Sequence, residues 1–265
     1  MMAVARTMMD RLLAAYQRGS RLALFFDFDG TLVPIVDHPR LAELSPHLRW
    51  VLAHLGRQPR LSVGILSGRP LDELKGKVGL PGLYYCGTSG LELDLCGARL
   101  VPSHAEHGRK VIEKVRPVLE GLAAEFPGAW VERKPMGLTL HYRAVHRFRQ
   151  QKLLSCADEQ LRSHAKWLRI VDGPKAIEVT ADVGWTKGFA IRTFVRDIGP
   201  GTMPFYAGDA ANDSDAIEAT QELGGVTVRI GPQPIAAQYQ LPDPAALGAW
   251  LAELLDALKR TRLAR

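Results

Sequence analysis

Short apolar runs alternate with amphipathic helical patterns in the first and last parts of the chain. Runs of strand length without polar alternation are typical of strands buried on both faces, and they occur at residues 22–26, 61–66, 82–86, 203–207 and 226–230. Apolar residues at helical spacing predict helices at residues 45–57, 71–78, 186–198, 213–223 and 244–258. Strands that alternate with helices predict an α/β fold with a doubly wound parallel sheet, in which ligands gather at the carboxyl ends of the strands.

The middle of the chain has a different pattern of elements. Helical spacing covers residues 104–126 and 147–163, whereas strand-like segments cover residues 129–134, 138–143, 166–171 and 175–180. This αββαββ order predicts an open antiparallel sheet with helices on one face, and the free face suits a lid over the main site. We therefore expect a smaller α+β cap domain that determines substrate specificity at residues 104–180, inserted into a core domain of residues 1–103 and 181–265.

Composition and charge narrow the class of protein. The 265 residues are 46% hydrophobic and 23% charged, which is typical of folded soluble proteins and argues against extensive disorder. The net charge of +6 suits an anionic substrate, but the basic residues are scattered, so we expect no nucleic-acid partner. No apolar run approaches the ~20 residues that span a bilayer, so we also expect no membrane partner. The cysteines are odd in number and include no Cys-x-x-Cys pair, which predicts neither a disulfide framework nor a zinc site and indicates a cytoplasmic protein.

Acidic and hydroxyl side chains follow several of the predicted strands. Asp27 and Asp29 end the first strand, and two carboxylates so close are best tolerated where a divalent cation offsets their charge. Asp209 follows another strand and offers a further oxygen ligand, so the sequence predicts a Mg²⁺ site here. Ser67 follows the second strand and offers hydroxyl and backbone N–H donors to a phosphate. Lys187, at the start of a predicted helix, adds a positive charge.

These short motifs indicate a function only in combination. An Asp-x-Asp alone is more often a turn or a solvated surface, and a Ser-Gly or Lys-Gly is usually a turn or a helix cap. Here Asp-x-Asp-Gly-Thr-Leu, Ser-Gly-Arg, Lys-Gly and Gly-Asp-x-x-x-Asp occur in this order, beginning at Asp27, Ser67, Lys187 and Gly208. Together with the αββαββ insert, they resemble the four motifs and a cap of the haloacid dehalogenase superfamily of phosphohydrolases. The resemblance implies that superfamily's core fold and catalytic roles for the first three of these residues.

The resemblance also implies a role for each acidic residue of the motifs. Asp27 would be the nucleophile that forms an aspartyl-phosphate, and Asp29 would protonate the leaving alkoxide and then activate water. Asp27, Asp209 and the backbone carbonyl of Asp29 would hold Mg²⁺. Asp213 and Asn212 would lie around these ligands, where Asp213 would position a water on the metal or the motif lysine.

Within the superfamily, several segments resemble the trehalose-6-phosphate phosphatase family. They are residues 27–35, 131–134, 140–143, 177–179 and 184–188. In that family, a Glu-x-Lys of the cap and a Glu just before the Lys-Gly motif hold the sugar hydroxyls. The resemblance therefore implies that Glu132, Lys134 and Glu178 hold the sugar here, and that trehalose 6-phosphate is the substrate. A functional link to a trehalose-6-phosphate synthase would follow.

Strand alternation agrees with this assignment of the cap. It places Glu132 and Lys134 on one face of a strand, and His141 and Arg143 on one face of its neighbour, and such dense polar groups suit a sugar. We expect these residues, together with Arg69 of the second motif, to bind the substrate. Without the resemblance, a solvated sheet face with salt bridges is the better interpretation of the same cap residues.

Some positions depart from the pattern of the trehalose-6-phosphate phosphatases. In the fourth motif, Ala210, Asn212 and Ser214 stand where that family usually has Asp, Thr and Glu, and Ser89 stands where it commonly has His. These departures leave the metal and phosphate chemistry intact but keep other substrates open, such as sucrose phosphate, a glycosyl phosphoglycerate or a hexose phosphate. A phosphomutase and, from a different class, a non-catalytic phospho-sugar-binding module also remain as alternatives.

The tryptophans fall mostly within predicted helices and strands. We therefore expect core packing, and not a stacking platform for bases, from Trp50, Trp130, Trp167, Trp185 and Trp250.

Overall fold

The computed structural model describes residues 2–103, 105–134 and 136–263. Within them, the chain forms eight α-helices and twelve strands. The helices are α1 (Met2–Gln17), α2 (Pro46–Leu55), α3 (Leu71–Val78), α4 (Ala105–Glu125), α5 (Arg147–Leu161), α6 (Lys187–Ile198), α7 (Ser214–Glu222) and α8 (Pro244–Leu263). The strands are β1 (Arg21–Asp27), β2 (Leu61–Leu66), β3 (Tyr84–Gly87), β4 (Glu92–Leu95), β5 (Ala98–Leu100), β6 (Trp130–Lys134), β7 (Gly137–His141), β8 (Leu168–Gly173), β9 (Ala176–Ala181), β10 (Thr202–Gly208), β11 (Val226–Ile230) and β12 (Tyr239–Leu241).

The main sheet has eight strands in the order β12-β11-β10-β1-β2-β3-β4-β5. Its central strand β1 pairs in parallel with β10 on one side and β2 on the other. The strand order reverses at β1, because the chain adds β2 and β3 on one side before it returns to add β10 on the other. The register places Phe26 beside Ala207 and Asp27 beside Leu66, so the three strands end at one level. A ligand site is expected at the carboxyl ends of strands where the order reverses.

Residues 22–27 of β1 are buried, and their side chains alternate between the two faces of the sheet. Leu22, Leu24 and Phe26 pack into a large apolar cluster that α1, α2, α3 and α8 complete. Ala23 and Phe25 point to the other face, where they pack against α6 and α7. Since each fully buried side chain of this size contributes about 1.5–3 kcal/mol, the strand is held firmly between two helix layers. The predicted α/β core is confirmed.

One edge of the main sheet is antiparallel, which the apolar pattern did not predict. β4 pairs antiparallel with β3 and with β5, and the tight turn at Cys96 and Gly97 uses positive φ angles of 53° and 114°. The buried Glu92 and Asp94 interrupt the apolar pattern of β4, so the sequence does not indicate a buried strand there. Both carboxylates are paired, Glu92 with Arg99 and Asp94 with Lys75, which makes their burial tolerable.

The cap is a separate four-stranded antiparallel sheet in the order β6-β7-β9-β8, with α4 and α5 on one face. Leu138, Leu140 and Val179 fill its own apolar cluster. The order of its elements is the predicted αββαββ, although β8 starts at Leu168, because residues 162–167 form a 3-10 helix. His104, the expected first residue of the first cap helix, lies outside the described residues. The division of the chain at residues 103/104 and 180/181 stays a prediction.

The expectation that the tryptophans fill the core is wrong for three of the five. Trp250 is buried, but Trp50, Trp130 and Trp167 are 48%, 39% and 44% exposed. Each exposed indole is instead covered on part of its surface by a neighbouring ring or cation: His54 for Trp50, His141 for Trp130, and Lys166 for Trp167. Among the helices of the described residues, none has both the length and the apolar character needed to cross a membrane.

Candidate active site

The carboxyl ends of the central strands and the polar face of the cap sheet enclose one pocket. Its core wall includes residues from all the strand-end motifs, namely Asp27, Asp29, Ser67, Gly68, Arg69, Asp209, Ala210 and Asn212. Its cap wall includes Glu132, Lys134, Thr139, His141, Arg143 and Glu178. The structure thus brings the site residues expected from the sequence to one place, with Lys187 and Asp213 directly beneath Asp27. Their individual roles stay predictions.

A buried ion cluster lies at the floor of this pocket. The Lys187 ammonium donates to Asp27 Oδ1 at 2.6 Å and to Asp213 Oδ1 at 2.7 Å, and all three side chains are at most 6% exposed. Asp213 also accepts from the Tyr206 hydroxyl at 2.6 Å and from two backbone N–H groups, those of Asp209 and Ala210. Both oxygens of Asp213 are therefore satisfied by protein donors, whereas Asp27 keeps Oδ2 for the pocket.

The order of the local sequence explains how Lys187 reaches the cluster. Thr186 caps α6, since its hydroxyl accepts from the backbone N–H of Phe189 at 3.2 Å. Lys187 is consequently the first residue of the helix, where the helix dipole is positive, and its side chain passes into the interior below β1. A charge buried so deeply is stable only because it is paired with two carboxylates.

The acidic residues of the floor have unusual proton affinities. Burial raises the pKa of Asp27 well above its ordinary value, with the charges of Asp213 and Asp209 adding to the effect and Lys187 opposing it. Burial, and next the charge of Asp213, raises the pKa of Asp209 from 3.8 to about 7. The single ammonium therefore does not balance the negative charge of the three carboxylates.

This imbalance fits a divalent cation that prefers oxygen ligands. One carboxylate oxygen from each of Asp27, Asp209 and Asp213 lies within 4.8 Å of the others. The side-chain oxygen of Asn212 is buried beside them and, in the part of the chain that the structure describes, has no hydrogen-bond partner. An acidic group with a spare amide oxygen is the donor set of a hard cation, and because Asp213 is already satisfied, Asp27 and Asp209 are the available ligands.

A glycine turn brings the first and fourth motifs together. Gly30 follows Asp29 with a positive φ of 88°, and its N–H donates to the carbonyl of Val33 at 2.7 Å. A Cβ at this position would lie 2.2 Å from Asp209 Oδ2, so only glycine allows the approach. The turn places the carboxylates of Asp27 and Asp209 at one end of the pocket.

Asp29 is held in an ion pair. Arg69 donates to both carboxylate oxygens of Asp29 at 2.7 Å, and it also donates to Glu73 and to the carbonyl of Pro39. The Arg69 side chain is only 7% exposed although it lines the pocket. Its expected contact with the substrate stays a prediction, since most of its donors are already used within the protein.

The second motif is clamped by a strained turn. Ser67 is 2% exposed, its hydroxyl accepts from the N–H of Arg69 at 3.1 Å, and its carbonyl accepts from the N–H of Ser89 at 3.0 Å. Thr88 and Ser89 both have positive φ angles, 45° and 54°, which are costly for residues other than glycine. Such strain is typical of functional sites, and here it points the Ser89 hydroxyl toward the cap.

The cap residues are paired across its strands. The Glu132 carboxylate accepts from His141 Nε2 at 2.8 Å, which assigns the ring proton to that nitrogen, and Lys134 donates to Glu178 at 2.9 Å. Ser89 of the core donates to the other oxygen of Glu178 at 2.9 Å. Burial raises the pKa of Glu178, but Lys134 and Ser89 outweigh it, so the net pKa lies below the ordinary value.

These pairs are not a solvated sheet face. The Lys134 and Glu178 side chains are 7% and 11% exposed, and they line the pocket. Arg143 lies beyond the end of β7, exposed at the rim, where it donates to the carbonyl of Pro174 at 3.0 Å. It is therefore not on the strand face shared by His141, although it does line the pocket.

Sequence reasoning missed several residues of the site. Three of them are Glu73, which pairs with Arg69, Tyr206, which donates to Asp213, and Thr139, which lines the pocket. The fourth is Ser89, which donates to Glu178 and which the sequence marked only as a departure from a family pattern. Thr139 could have been found, because strand alternation places it on the same face as His141. The other three need the tertiary structure.

A family model described as trehalose-phosphatase matches residues 25–245 of the chain. The trehalose-phosphate phosphatase of Mycobacterium tuberculosis is 35% identical over 254 residues, which cover 90% of this chain and 61% of that protein. Trehalose-phosphate phosphatase B of Arabidopsis thaliana is 28% identical over 273 residues, which cover 97% of this chain and 72% of that protein. The chain thus spans about three fifths of the length of the mycobacterial relative.

Solved structures share the fold. The C-terminal domain of the trehalose-6-phosphate phosphatase of C. albicans superposes with a TM-score of 0.85 at 24% identity, over 94% of this chain and 96% of that one. The C-terminal domain of the Candida albicans trehalose synthase regulatory protein superposes with a TM-score of 0.75 at 13% identity, over 92% and 97%. At these identities the likeness extends to the fold alone.

Proposed function

Because the chain belongs to the trehalose-phosphatase family, we propose that it hydrolyses trehalose 6-phosphate to trehalose and phosphate through an aspartyl-phosphate intermediate. The observation that carries the proposal is the position of the Asp27 carboxylate. One of its oxygens accepts from Lys187, and Asp27 lines a pocket that the buried Lys134–Glu178 pair lines from the cap. A nucleophile therefore lies opposite polar groups of the kind that bind sugar hydroxyls.

In the first step, Asp27 Oδ2 attacks phosphorus. A bond forms between this oxygen and phosphorus, and the bond from phosphorus to the sugar oxygen breaks. Lys187 keeps the carboxylate oriented by holding Oδ1 at 2.6 Å. Asp29 gives a proton to the departing sugar oxygen, which leaves trehalose neutral. The hydroxyl of Ser67 and the nearby backbone N–H groups would donate to the phosphoryl oxygens.

In the second step, water releases the phosphate. Asp29, now a carboxylate, takes a proton from the water whose oxygen attacks phosphorus, and the bond to Asp27 breaks. Asp29 must leave Arg69 to serve in either step, since Arg69 now occupies both of its oxygens. Glu73 offers Arg69 another carboxylate, so the guanidinium stays paired when Asp29 turns toward the substrate.

A magnesium ion completes the proposed site. Asp27, Asp209 and the backbone carbonyl of Asp29 would hold Mg²⁺, with Asp213 and Asn212 around them. When bound, the ion neutralises charge on the transferring phosphoryl group. A trehalose-6-phosphate synthase would supply the substrate, so a functional link to such an enzyme is part of the proposal.

The test is phosphate release from a panel of substrates with Mg²⁺ or with a chelator. The panel contains trehalose 6-phosphate, sucrose 6-phosphate, glucose 6-phosphate and p-nitrophenyl phosphate. We expect trehalose 6-phosphate to be preferred, and we expect chelator or Asp27→Asn to abolish turnover. Asp72→Asn is the matched control. Asp72 lies on α3 beside the main sheet, its side chain is 78% exposed, and it is not part of the pocket lining. Turnover by Asp27→Asn at the wild-type rate would refute the nucleophile.

The same panel separates the alternatives. Equal rates on the hexose and disaccharide phosphates would assign the chain to a broader sugar phosphatase. Transfer of labelled phosphate to a second position of the sugar, without release, would show a phosphomutase. Binding of trehalose 6-phosphate without any release would show a non-catalytic module. Incorporation of ¹⁸O from water into the released phosphate is the result expected for hydrolysis.

A further inference from the structure

A row of side chains crosses the cap sheet on the face that lines the pocket. The register pairs Glu132 of β6 with Thr139 of β7, and Thr139 with Glu178 of β9. Residues paired directly across antiparallel strands have their Cβ atoms on the same face, about 4.5–5.5 Å apart. All three residues line the pocket, and Thr139 is the middle one. Its hydroxyl therefore lies between the two carboxylates expected to hold the sugar.

The Thr139 hydroxyl has no protein partner among the described residues, although the side chain is only 5% exposed. Its two neighbours do not supply one, because Glu132 is engaged by His141, and Glu178 by Lys134 and Ser89. A buried hydroxyl rarely lacks a hydrogen bond in a folded protein, since leaving it unpaired costs stability. The sheet thus keeps, at the centre of the polar row, a group whose partner must come from the pocket.

We propose that Thr139 binds a hydroxyl group of the substrate sugar and is a specificity-determining residue of the cap. The proposal rests on the proposed function, which supplies the sugar phosphate. The two carboxylates of the row can only accept hydrogen bonds, whereas the Thr139 hydroxyl can donate and accept. It therefore completes a set of groups that matches a sugar hydroxyl, which needs both a donor and an acceptor.

The test compares Thr139→Val with Thr139→Ser. Valine keeps the branched shape but removes the hydroxyl, and serine keeps the hydroxyl but loses a methyl group. The readout is the ratio of kcat/KM for trehalose 6-phosphate to kcat/KM for p-nitrophenyl phosphate, which has no sugar. We expect Thr139→Val to lower this ratio about 10-fold, mainly through KM for the sugar phosphate, because a sugar hydroxyl is left facing a methyl group. Thr139→Ser should restore the ratio to within about 3-fold of wild type.

A second readout separates binding from folding. Thr139→Val removes an unpartnered buried hydroxyl, so the variant should melt about 2–4 °C above wild type while selecting the sugar less well. The matched control is Thr180→Val in the same sheet. The Thr180 hydroxyl donates to the carbonyl of Arg169 at 3.4 Å and is not part of the pocket lining. That variant should leave the ratio unchanged.

The outcomes are distinguishable from failure of the proposed function. A ratio unchanged in Thr139→Val, with a wild type that prefers trehalose 6-phosphate, overturns the inference and leaves the function standing. If the wild type prefers another sugar phosphate, the proposed substrate fails, and the same ratio measured with that sugar phosphate still tests Thr139. Should the valine variant not fold, Thr139→Ala removes the same hydroxyl and gives the same readout.

Discussion

Removal of one carboxylate from the floor of the pocket is expected to stabilise the metal-free protein. Asp209 is mostly buried and lies close to Asp213, and together these raise its pKa from 3.8 to about 7. The folded state thus holds the Asp209 proton more tightly than the unfolded chain does. Its carboxylate form is correspondingly unfavourable in the fold when no cation is bound, and Asp209→Asn removes that charge.

The sign and size follow from proton linkage. Because the pKa is raised on folding, the folded state is not penalised by Asp209 below about pH 4, and stability falls as the pH rises through 7. The shift of roughly 3 units corresponds to about 4 kcal/mol above pH 7, at about 1.4 kcal/mol per unit. At pH 5 only about 1.5 kcal/mol of this penalty has developed. Asp27, whose pKa is raised mainly by burial, acts in the same direction and remains in the variant, where loss of the Asp209 charge removes one of the lesser causes of its raised pKa.

The assay is thermal or urea unfolding of wild type and Asp209→Asn with chelator at pH 5 and pH 8. We expect the variant to be more stable at pH 8 by about 2–4 kcal/mol, or roughly 5–10 °C in Tm, with a gap less than half as large at pH 5. Added Mg²⁺ should stabilise wild type at pH 8 but not the variant. Asp72→Asn, which removes a 78% exposed carboxylate, is the control and should show no such pH dependence.

Two results would contradict this reasoning. One is a variant that is less stable than metal-free wild type at pH 8, which would mean that the charge of Asp209 is favourable without a cation. The other is a stability gap that does not change between pH 5 and pH 8, since the gap would then come from packing and not from the proton.

Three further substitutions test the buried ionic cluster and the turn beside it. Lys187→Met should destabilise the protein by about 3–5 kcal/mol in urea unfolding, because it leaves two buried carboxylates unpaired; a loss below 1 kcal/mol would contradict the buried pairing. Tyr206→Phe removes a 2.6 Å hydrogen bond to Asp213 and should cost about 1.5–3 kcal/mol, measured in the same way. Gly30→Ala should lower kcat about 100-fold or more in a phosphate-release assay, since its Cβ would meet Asp209; near-normal turnover would show that the turn can move aside.

The parts of the fold that the sequence predicts are those in which local pattern and tertiary structure agree. β2, α3 and β11 have the predicted bounds, because unbroken apolar runs and clear helical spacing leave no competing assignment. β4 was missed, because its buried Glu92 and Asp94 are neutralised by partners elsewhere in the chain. The exposed tryptophans were misjudged because an indole can lie at the surface of a helix or strand with one face covered by a ring or cation, as Trp130 is by His141 and Trp167 by Lys166.

The candidate site divides in the same way. Strand-end residues such as Asp27 and Asp209 are predictable, because parallel strands end at one level and gather their carboxyl-terminal residues. The pairing of Asp29 with Arg69 is not, because it depends on how the loop carrying Pro39 closes over the second motif. The sequence can therefore propose which groups react, whereas only the structure shows what restrains them.

On the proposed function, Glu178 would couple binding of the sugar to binding of the phosphate. Its carboxylate, carried by the cap, accepts from Ser89 of the core, and a Cβ on Gly68 would lie 2.6 Å from its Oε1. Gly68 follows Ser67, the residue proposed to contact the phosphate, so a larger side chain there would push the cap away from the second motif. A sugar bound to Glu178 would therefore hold the cap against Gly68, the residue next to the proposed phosphate contact Ser67. Substrate selection by the cap should consequently appear in kcat as well as in KM. A sugar that the cap holds poorly would leave the cap incompletely closed over the catalytic residues of the core.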